Sequence, residues 1–262
     1  MTSQLPPIAN IPLPDSIPED SHWWFASRTR ALNAVIEPLL PKTSDFRLLD
    51  VGCGAGNMIH HLSRYGKVKG LEIDPRPVKV ARAERGYDVD LFDVTQPMPF
   101  NDNSFDAVTA LDVIEHNEDD LAILTDSYRI LKPGGYIIIT VPALMWLWSH
   151  NDDINAHVRR YSAREIEQKL SQTGFKVRRI TYNNFFVFPM AAALILLRRF
   201  SKAKPELASH HLDEEEYQVE MEPASPPVNA VLTVVGQVEA ALIRRVNLPI
   251  GTSLIAVGQK PG

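Results

Sequence analysis

A glycine-rich turn follows a short apolar run in the stretch RLLDVGCGAGNM. Gly52, Gly54 and Gly56 lack side chains, so the backbone there can take positive φ and pass close to a ligand. Asp50 precedes the first glycine, and its carboxylate favours a ligand with a cationic amine over a pyrophosphate. A dinucleotide fingerprint would also need glycine where Asn57 stands. The turn therefore predicts a site for an amino-acid-like ligand.

Two histidines have the chemistry to remove a proton from an acceptor near neutral pH. His116 follows an apolar run, and His157 lies in the stretch HNDDINAHVRRYS. Three residues beside His157 offer hydrogen-bond donors for an anionic or hydroxylated acceptor: Arg159, Arg160 and Tyr161. Two plainer interpretations stay open. His116 could serve in capping or packing, and the second cluster could form ion pairs with Asp152 and Asp153.

Short β-rich runs alternate with helical runs along most of the chain. The strand candidates are 47–51, 68–73, 89–92, 107–111, 136–141, 176–182 and, after a long gap, 253–259. Such alternation predicts crossover helices on a mostly parallel sheet. We expect an α/β fold with a doubly wound, Rossmann-like sheet, an N-terminal helix and a late helical insertion at about 184–250. The carboxyl ends of parallel strands would bring the glycine turn and both histidines to one edge.

Five ordered stretches resemble the motifs of class I S-adenosylmethionine-dependent methyltransferases. They are DVGCGAG, GLEID, LFDV, FDAVTALDVIEH and LKPGGYIIITVP, and the resemblance covers roughly residues 45–182. Within that family the chain is most similar to the type 11 group, which includes ubiquinone-type O-methyltransferases. The resemblance implies S-adenosyl-L-methionine as the cofactor and methyl transfer, with an oxygen expected as the accepting atom.

The resemblance also implies cofactor contacts at particular positions. Glu72 ends the second strand, where the family's acidic residue binds the ribose hydroxyls. Asp93 follows the third strand, where the family contacts the adenine amino group, although an ordinary turn also explains an aspartate there. Leu111 ends the fourth strand and is expected to touch the adenosine or methionine part. The glycine turn with Asp50 completes the expected cofactor site.

An aromatic block, HWWF, and an apolar run at 185–200 bear on the acceptor. Trp24 is expected to contact the acceptor under a helical lid. Together with the RRY sequence, these features resemble methyltransferases found beside glycan and lipid-linked sugar assembly enzymes. The expected acceptor is small or amphiphilic, such as a lipid-linked sugar or a quinone-like compound, with peripheral membrane contact. Ordinary packing of the block, and a dimer interface or buried helix pair for the run, stay open.

Composition limits other partners. A net charge of −5 and a pI near 5.9 argue against nucleic-acid binding. The single cysteine, Cys53, allows no internal disulfide and fits a cytoplasmic setting. We expect no metal, although Asp112, Glu115 and His116 would share one face of a helix. Residues 1–20 are interpreted as a disordered proline-rich tail before a domain at 21–262, and the oligomeric state is open.

Two other functions remain as alternatives. A nicotinamide-dependent oxidoreductase would use a similar sheet, but Asp50 and Asn57 both argue against a dinucleotide. A non-catalytic cofactor-binding module would keep the glycine turn and lack acceptor chemistry.

Overall fold

A seven-stranded sheet forms the centre of the molecule. The computed structural model describes residues 5–200 and 225–262. The strands are β1 (Arg47–Val51), β2 (Lys67–Glu72), β3 (Val89–Leu91), β4 (Phe105–Leu111), β5 (Leu131–Pro142), β6 (Lys176–Asn183) and β7 (Ser253–Gln259). Their order across the sheet is β3-β2-β1-β4-β5-β7-β6, and β7 runs antiparallel to both neighbours while the other pairs are parallel. The expected doubly wound, mostly parallel α/β fold is confirmed.

Helices cover both faces of the sheet. The α-helices in the described ranges are α1 (Trp23–Ile36), α2 (Asn57–Leu62), α3 (Pro75–Ala83), α4 (Asp120–Ile130), α5 (His150–Ile154), α6 (Ala163–Gln172), α7 (Phe188–Phe200) and α8 (Pro226–Ile243). Neighbouring leucines of β1 point to opposite faces because side chains alternate along a strand. Leu48 belongs to the apolar cluster that includes residues of α1 and α8, and Leu49 belongs to the cluster that includes residues of α4 and α6.

The strand order changes direction at β1, which pairs with β2 on one side and β4 on the other. Asp50 lies opposite Gly70 of β2 and Thr109 of β4. In open α/β sheets, ligands bind beyond the carboxyl ends of the strands at such a point. The fold therefore brings the glycine turn to the expected binding edge.

Residues 5–21 differ from the expected disordered tail, because they lie against the domain. Arg82 of α3 donates from Nε to the Pro6 carbonyl at 2.7 Å, and its own carbonyl accepts from the Ala9 N–H at 2.8 Å. A 3₁₀ turn at Pro18–Ser21 then leads into α1. The proline-rich composition does not reveal these contacts, since their partner is an arginine far along the chain.

The late insertion contributes α7 and α8, and α8 packs on α1. Asn229 of α8 accepts the Trp23 N–H at 2.9 Å and donates to the Ser21 carbonyl at 3.1 Å. Gly236 lies so close to Ser27 of α1 that an added β-carbon would come 2.0 Å from its Oγ. The acidic stretch at 213–216, expected to be a solvated loop, lies outside the described residues.

Among the described helices, α8 alone has the length and apolar composition to cross a membrane, with a mean hydropathy of 1.3 over 18 residues. These two properties are weak grounds, because core helices of soluble proteins share them. A shorter apolar helix covers Phe188–Leu197.

We predict that Gly236→Ala destabilises the protein, although alanine is the better helix former. The added methyl group would collide with the Ser27 side chain and force the two helices apart, at a cost of about 1–3 kcal/mol. Thermal unfolding measures the loss. Gln237→Ala, one residue along on the exposed side of α8, is the control and should change stability by less than about 0.5 kcal/mol. Equal melting temperatures for both variants would contradict the close contact.

Candidate active site

Two cavities open at the carboxyl edge of the sheet. The smaller has a volume of about 210 Å³ and includes Asp50 of β1 and Leu111 of β4 in its wall. The larger has a volume of about 880 Å³ and includes Thr140 of β5 and Ser253 of β7. Each cavity therefore takes residues from neighbouring strands that are distant in sequence.

The glycine turn forms part of the smaller cavity. Gly52 and Gly54 line it with φ of 66° and 55°. An added β-carbon on Gly52 would lie 2.5 Å from Cγ2 of Val113. Gly56, with φ of 85°, lies outside the lining and precedes α2, where a β-carbon would meet the Tyr87 ring at 2.4 Å. Two of the three glycines shape the cavity, and the third permits packing behind it.

Glu72 holds the glycine turn through the main chain. Its Oε2 accepts a hydrogen bond from Gly54 N at 2.8 Å, and its Oε1 accepts from Ile73 N and Asp74 N, both at 2.9 Å. Glu72 is absent from the residues that line the smaller cavity. Oε2 keeps a lone pair that a ribose hydroxyl could use. The ribose contact therefore stays a prediction, and the bond to the turn is an added role.

Asp50 is a buried carboxyl group in the wall of the smaller cavity, only 2% exposed. Thr109 Oγ1 lies 2.6 Å from its Oδ1. Burial raises the pKa of Asp50 from 3.8 to about 7, against the lowering effect of Thr109 and of the positive charge on Arg28. A cationic amine in the cavity would favour the charged carboxylate. This chemistry fits the amino-acid end of S-adenosylmethionine.

The 3₁₀ turn before α1 covers one side of the smaller cavity. Glu19 is buried and pairs with Arg85 Nη2 at 2.7 Å, while Arg85 Nη1 donates to Asn57 Oδ1 at 2.6 Å. Asp20 Oδ1 lies 2.9 Å from His61 Nε2. The N-terminal segment is thus tied to the helix that follows the glycine turn.

Asp20, His60 and His61 place possible ligand atoms for a metal within 4.8 Å of one another. Arg64 Nη2, which can only donate, lies 3.3 Å from His61 Nδ1. The proton of the neutral His61 ring is then on Nε2, facing Asp20. This group is better explained as a hydrogen-bonded connection than as a metal site.

The larger cavity combines a polar part with an apolar part. The polar lining includes Arg28, Asp112, Glu115, His116, His157 and Arg160. The apolar lining includes Trp23, Trp24, Trp148, Met190, Leu194 and Ile195. The expected acceptor residues His116, His157, Arg160 and Trp24 therefore come together, although they derive from separate segments.

Asp152 organises the polar part of the larger cavity. Its Oδ1 lies 2.9 Å from His157 Nδ1, and Arg160 donates to both of its oxygens at 2.7 and 2.9 Å. Burial raises the pKa of Asp152, but the bonds from His157 and Arg160 outweigh it and lower that pKa to about 2. The ionised carboxylate accepts only, so the proton of neutral His157 is on Nδ1 and Nε2 is free to act as a base.

Glu115 and His116 lie beside this pair. Glu115 is buried with no hydrogen-bond partner for either oxygen, and burial, with the nearby Asp112 charge, raises its pKa well above the usual value. The His116 ring lies 4.9 Å from the His157 ring, and partial loss of water lowers the pKa of His116. Glu115, His116 and His157 present donor atoms within 4.8 Å, so a divalent ion could bind there if Glu115 lost its proton.

Arg28 of α1 stands between the two cavities. Within the described ranges it is the one residue that lines both of them. Its guanidinium pairs with Asp112 and donates to Thr140 Oγ1 at 3.3 Å. Asp112 itself has φ of 56°, a left-handed backbone that is uncommon for aspartate. The pair joins the N-terminal helix to the ends of β4 and β5.

Three expected site residues lie elsewhere. Tyr161 is 1% exposed and its hydroxyl donates to Asp120 at 2.7 Å, so it supports the loop from within and does not meet an acceptor. Arg159 contacts Asp120 and the Glu118 carbonyl outside the larger cavity. Asp93 lies outside both linings and accepts from Thr95 N at 2.9 Å, as in an ordinary turn. The adenine contact stays a prediction.

Sequence reasoning missed the positions of Arg28 and Asp152. Arg28 belongs to the N-terminal helix, and nothing in its sequence context shows that it reaches the end of β4. Asp152 was considered only as an ion-pair partner for the arginines. The short spacing from Asp152 to His157 and Arg160 was the available signal, since a turn can bring such residues together.

The methyltransferase domain family model matches residues 24–180, which is more than half of the chain. The chain belongs to this methyltransferase family. The ubiquinone biosynthesis O-methyltransferase of Xanthomonas oryzae pv. oryzae is 35% identical over 133 residues, which cover 46% of this chain and 56% of that protein. The counterpart from Xanthomonas campestris pv. campestris is 38% identical over 103 residues, or 36% and 42% of the two chains. The methyltransferase spans about half the length of the curated relatives it matches.

Solved structures share the fold of this methyltransferase. A methyltransferase from Bacillus halodurans has a TM-score of 0.58 and 19% identity, covering 88% of this chain and 99% of that one. Phosphoethanolamine N-methyltransferase 2 of Haemonchus contortus, solved with S-adenosylhomocysteine, has a TM-score of 0.54 and 22% identity, covering 88% and 52%. The [4+2]-cyclase SpnF has a TM-score of 0.57 and 20% identity, covering 97% and 89%.

The prediction of a class I S-adenosylmethionine-dependent methyltransferase is confirmed for the family, the fold and the class of cofactor. At these identities the structural neighbours show the fold alone. The acceptor has to be argued from the larger cavity.

The empty methyltransferase should lose stability as pH rises from about 5 to 8, partly through Asp50. The folded pKa of about 7 exceeds the ordinary 3.8, so the folded state holds the proton more tightly. This stabilisation is present below the unfolded pKa and is lost as pH rises through the folded pKa. Asp50→Asn should therefore give a flatter stability curve in chemical denaturation across this range. Parallel curves for the two proteins would contradict the raised pKa.

Glu72→Ala should weaken S-adenosylhomocysteine binding by about 1–3 kcal/mol, because it removes the acceptor that holds the glycine turn. Glu72→Gln should also weaken it, since an amide N–H₂ would face a backbone N–H. Titration calorimetry measures the affinity, and Glu84→Ala on the exposed surface is the control. Unchanged affinity in both Glu72 variants would remove this residue from the cofactor site.

Proposed function

We propose that this methyltransferase transfers a methyl group from S-adenosylmethionine to a hydroxyl group of an amphiphilic acceptor held in the larger cavity. The observation that carries the proposal is the Asp152–His157 pair, which presents a base to a cavity that is polar on one side and apolar on the other. The curated relatives named as O-methyltransferases support the choice of an oxygen atom. A lipid-linked sugar or a quinone-like phenol has the required combination of hydroxyl group and apolar tail.

The cofactor and the acceptor would occupy the two neighbouring cavities. Asp50 would hold the cationic amine of the methionine part, and Glu72 and the glycine turn would hold the nucleoside part. Arg28, which lines both cavities, would orient groups on either side of the boundary. S-adenosylmethionine, when bound, supplies a methyl group already activated as a sulfonium. The protein therefore has mainly to align the acceptor oxygen with it.

His157 would take the acceptor proton as the oxygen attacks. The new bond joins the acceptor oxygen to the methyl carbon, the sulfur–methyl bond breaks, and S-adenosylhomocysteine leaves. The proton moves to Nε2 of His157, and the Asp152 carboxylate stabilises the imidazolium that forms. Arg160 keeps Asp152 ionised and in place. Trp24 and the other apolar residues would exclude water and hold the tail.

The single cysteine, Cys53, supports a reducing, cytoplasmic setting for the reaction. Cys53 is a buried free thiol, and burial raises its pKa well above the usual value. A buried thiol with a raised pKa is a poor nucleophile, so the residue serves packing in the glycine turn.

Asp152→Asn should lower the turnover number about a hundredfold or more, because an amide cannot fix the tautomer or stabilise the charged ring of His157. His157→Gln should have a comparable effect. The affinity for S-adenosylhomocysteine should stay within about twofold, since neither residue lines the smaller cavity. Asp153→Asn, at an exposed neighbouring carboxylate, is the matched control.

The assay supplies radiolabelled S-adenosylmethionine with catechol, with an alkyl catechol and with the matching alkyl amine. Labelled methyl ether should form fastest on the alkyl catechol, and mass spectrometry identifies the bond. Methylation of the amine alone would replace oxygen by nitrogen as the acceptor atom. Unchanged turnover in both the Asp152 and His157 variants would remove the proposed base.

A further inference from the structure

The exposed face of α8 carries no charged side chain. The one ionisable residue in this helix is Glu239, which is buried and accepts hydrogen bonds from the backbone N–H groups of Asn184 and Phe186. Aliphatic side chains occupy the outward positions: Val228, Val231, Val234, Val238 and Leu242. Val231 is 63% exposed. A soluble surface of this length normally carries charges, so the face is suited to an apolar environment.

The apolar surface on α7 reaches the larger cavity. Met190, Leu194 and Leu197 are spaced by four and three residues, which places them on one side of the helix. All three are exposed, and Leu197 reaches 68%. Met190 and Leu194 also line the cavity. An apolar tail leaving the cavity along these residues would therefore emerge at the exposed face of α7.

Positive charge is placed at the same end of both apolar helices. The apolar run of α7 is followed by Arg198 and Arg199 in the sequence, and α8 is followed by Arg244 and Arg245. Arg244 and Arg245 are exposed, and Arg244 also reaches Glu37 at 3.2 Å. The chain as a whole has a net charge of −5. Pairs of arginines beside apolar helices are complementary to anionic headgroups beside acyl chains.

We propose that α7 and α8 dock this methyltransferase on a bilayer that carries anionic headgroups, with the larger cavity open toward the lipid. The inference rests on the proposed function, because a membrane-held amphiphilic acceptor would reach the cavity along Met190 and Leu194. The helix α8 lies on the surface and does not cross the bilayer, since Gly236 packs on Ser27 and Glu239 is bound to the domain. A second copy of the chain would present the same arginines and add no complementary charge.

Vesicle co-sedimentation tests the docking surface with the full chain. The vesicles contain phosphatidylcholine alone or with phosphatidylglycerol. The variant Val231→Glu/Val238→Glu places two charges on the exposed face of α8. The matched control is Leu91→Glu, an exposed aliphatic residue on β3 at the other edge of the sheet. Circular dichroism and S-adenosylhomocysteine titration show that each variant is folded.

The wild-type chain and Leu91→Glu should bind the anionic vesicles, and the double variant should bind them at least tenfold more weakly. Neutral vesicles should bind the wild type less than anionic ones. Equal binding by the double variant, or no binding by the wild type, would overturn the inference. So would a wild-type dimer that the double variant converts to a monomer without any vesicle binding. Methylation of an alkyl catechol in detergent-free solution tests the proposed function separately, so loss of docking and loss of catalysis are distinguishable.

Discussion

The ion pair between Arg28 and Asp112 joins the two parts of the methyltransferase on which the site depends. Arg28 comes from the helix that begins the domain, and Asp112 comes from the end of a central strand. The pair lies between a cavity suited to the cofactor and one suited to the acceptor. Methyl transfer needs both ligands aligned across that boundary, so the position of α1 sets the geometry of the reaction.

Three carboxyl groups near this boundary differ in charge because their partners differ. Burial raises the pKa of Asp50 to about 7 and that of Glu115 well above its usual value. Asp152 is also buried, but His157 and Arg160 lower its pKa to about 2. The ionised group orients a base, whereas the two groups that hold protons await a cation or a hydrogen-bonding ligand. The same side-chain chemistry thus serves different steps according to what surrounds it.

The sequence predicts the sheet well because local signals define it. Apolar β-rich runs mark all seven strands, and the glycine turn with Asp50 and Leu111 lies where the motifs indicate. Site residues that depend on contacts between distant segments are harder to predict. Tyr161 looked like an acceptor contact, but Asp120 binds its hydroxyl inside the fold. The role of Arg28 follows only from how α1 packs, and the sequence of α1 does not encode its partner.

The hydrogen bonds between Asn229 and the start of α1 have a consequence for biosynthesis. They join residues separated by more than two hundred positions, from Ser21 and Trp23 to Asn229. A ribosome would release the first helix long before the helix that holds it is made. Contacts between such distant segments are also slow to form in the free chain. During translation the sheet can assemble first, and the cavity walls contributed by α1 become fixed only when the last fifth of the polypeptide emerges.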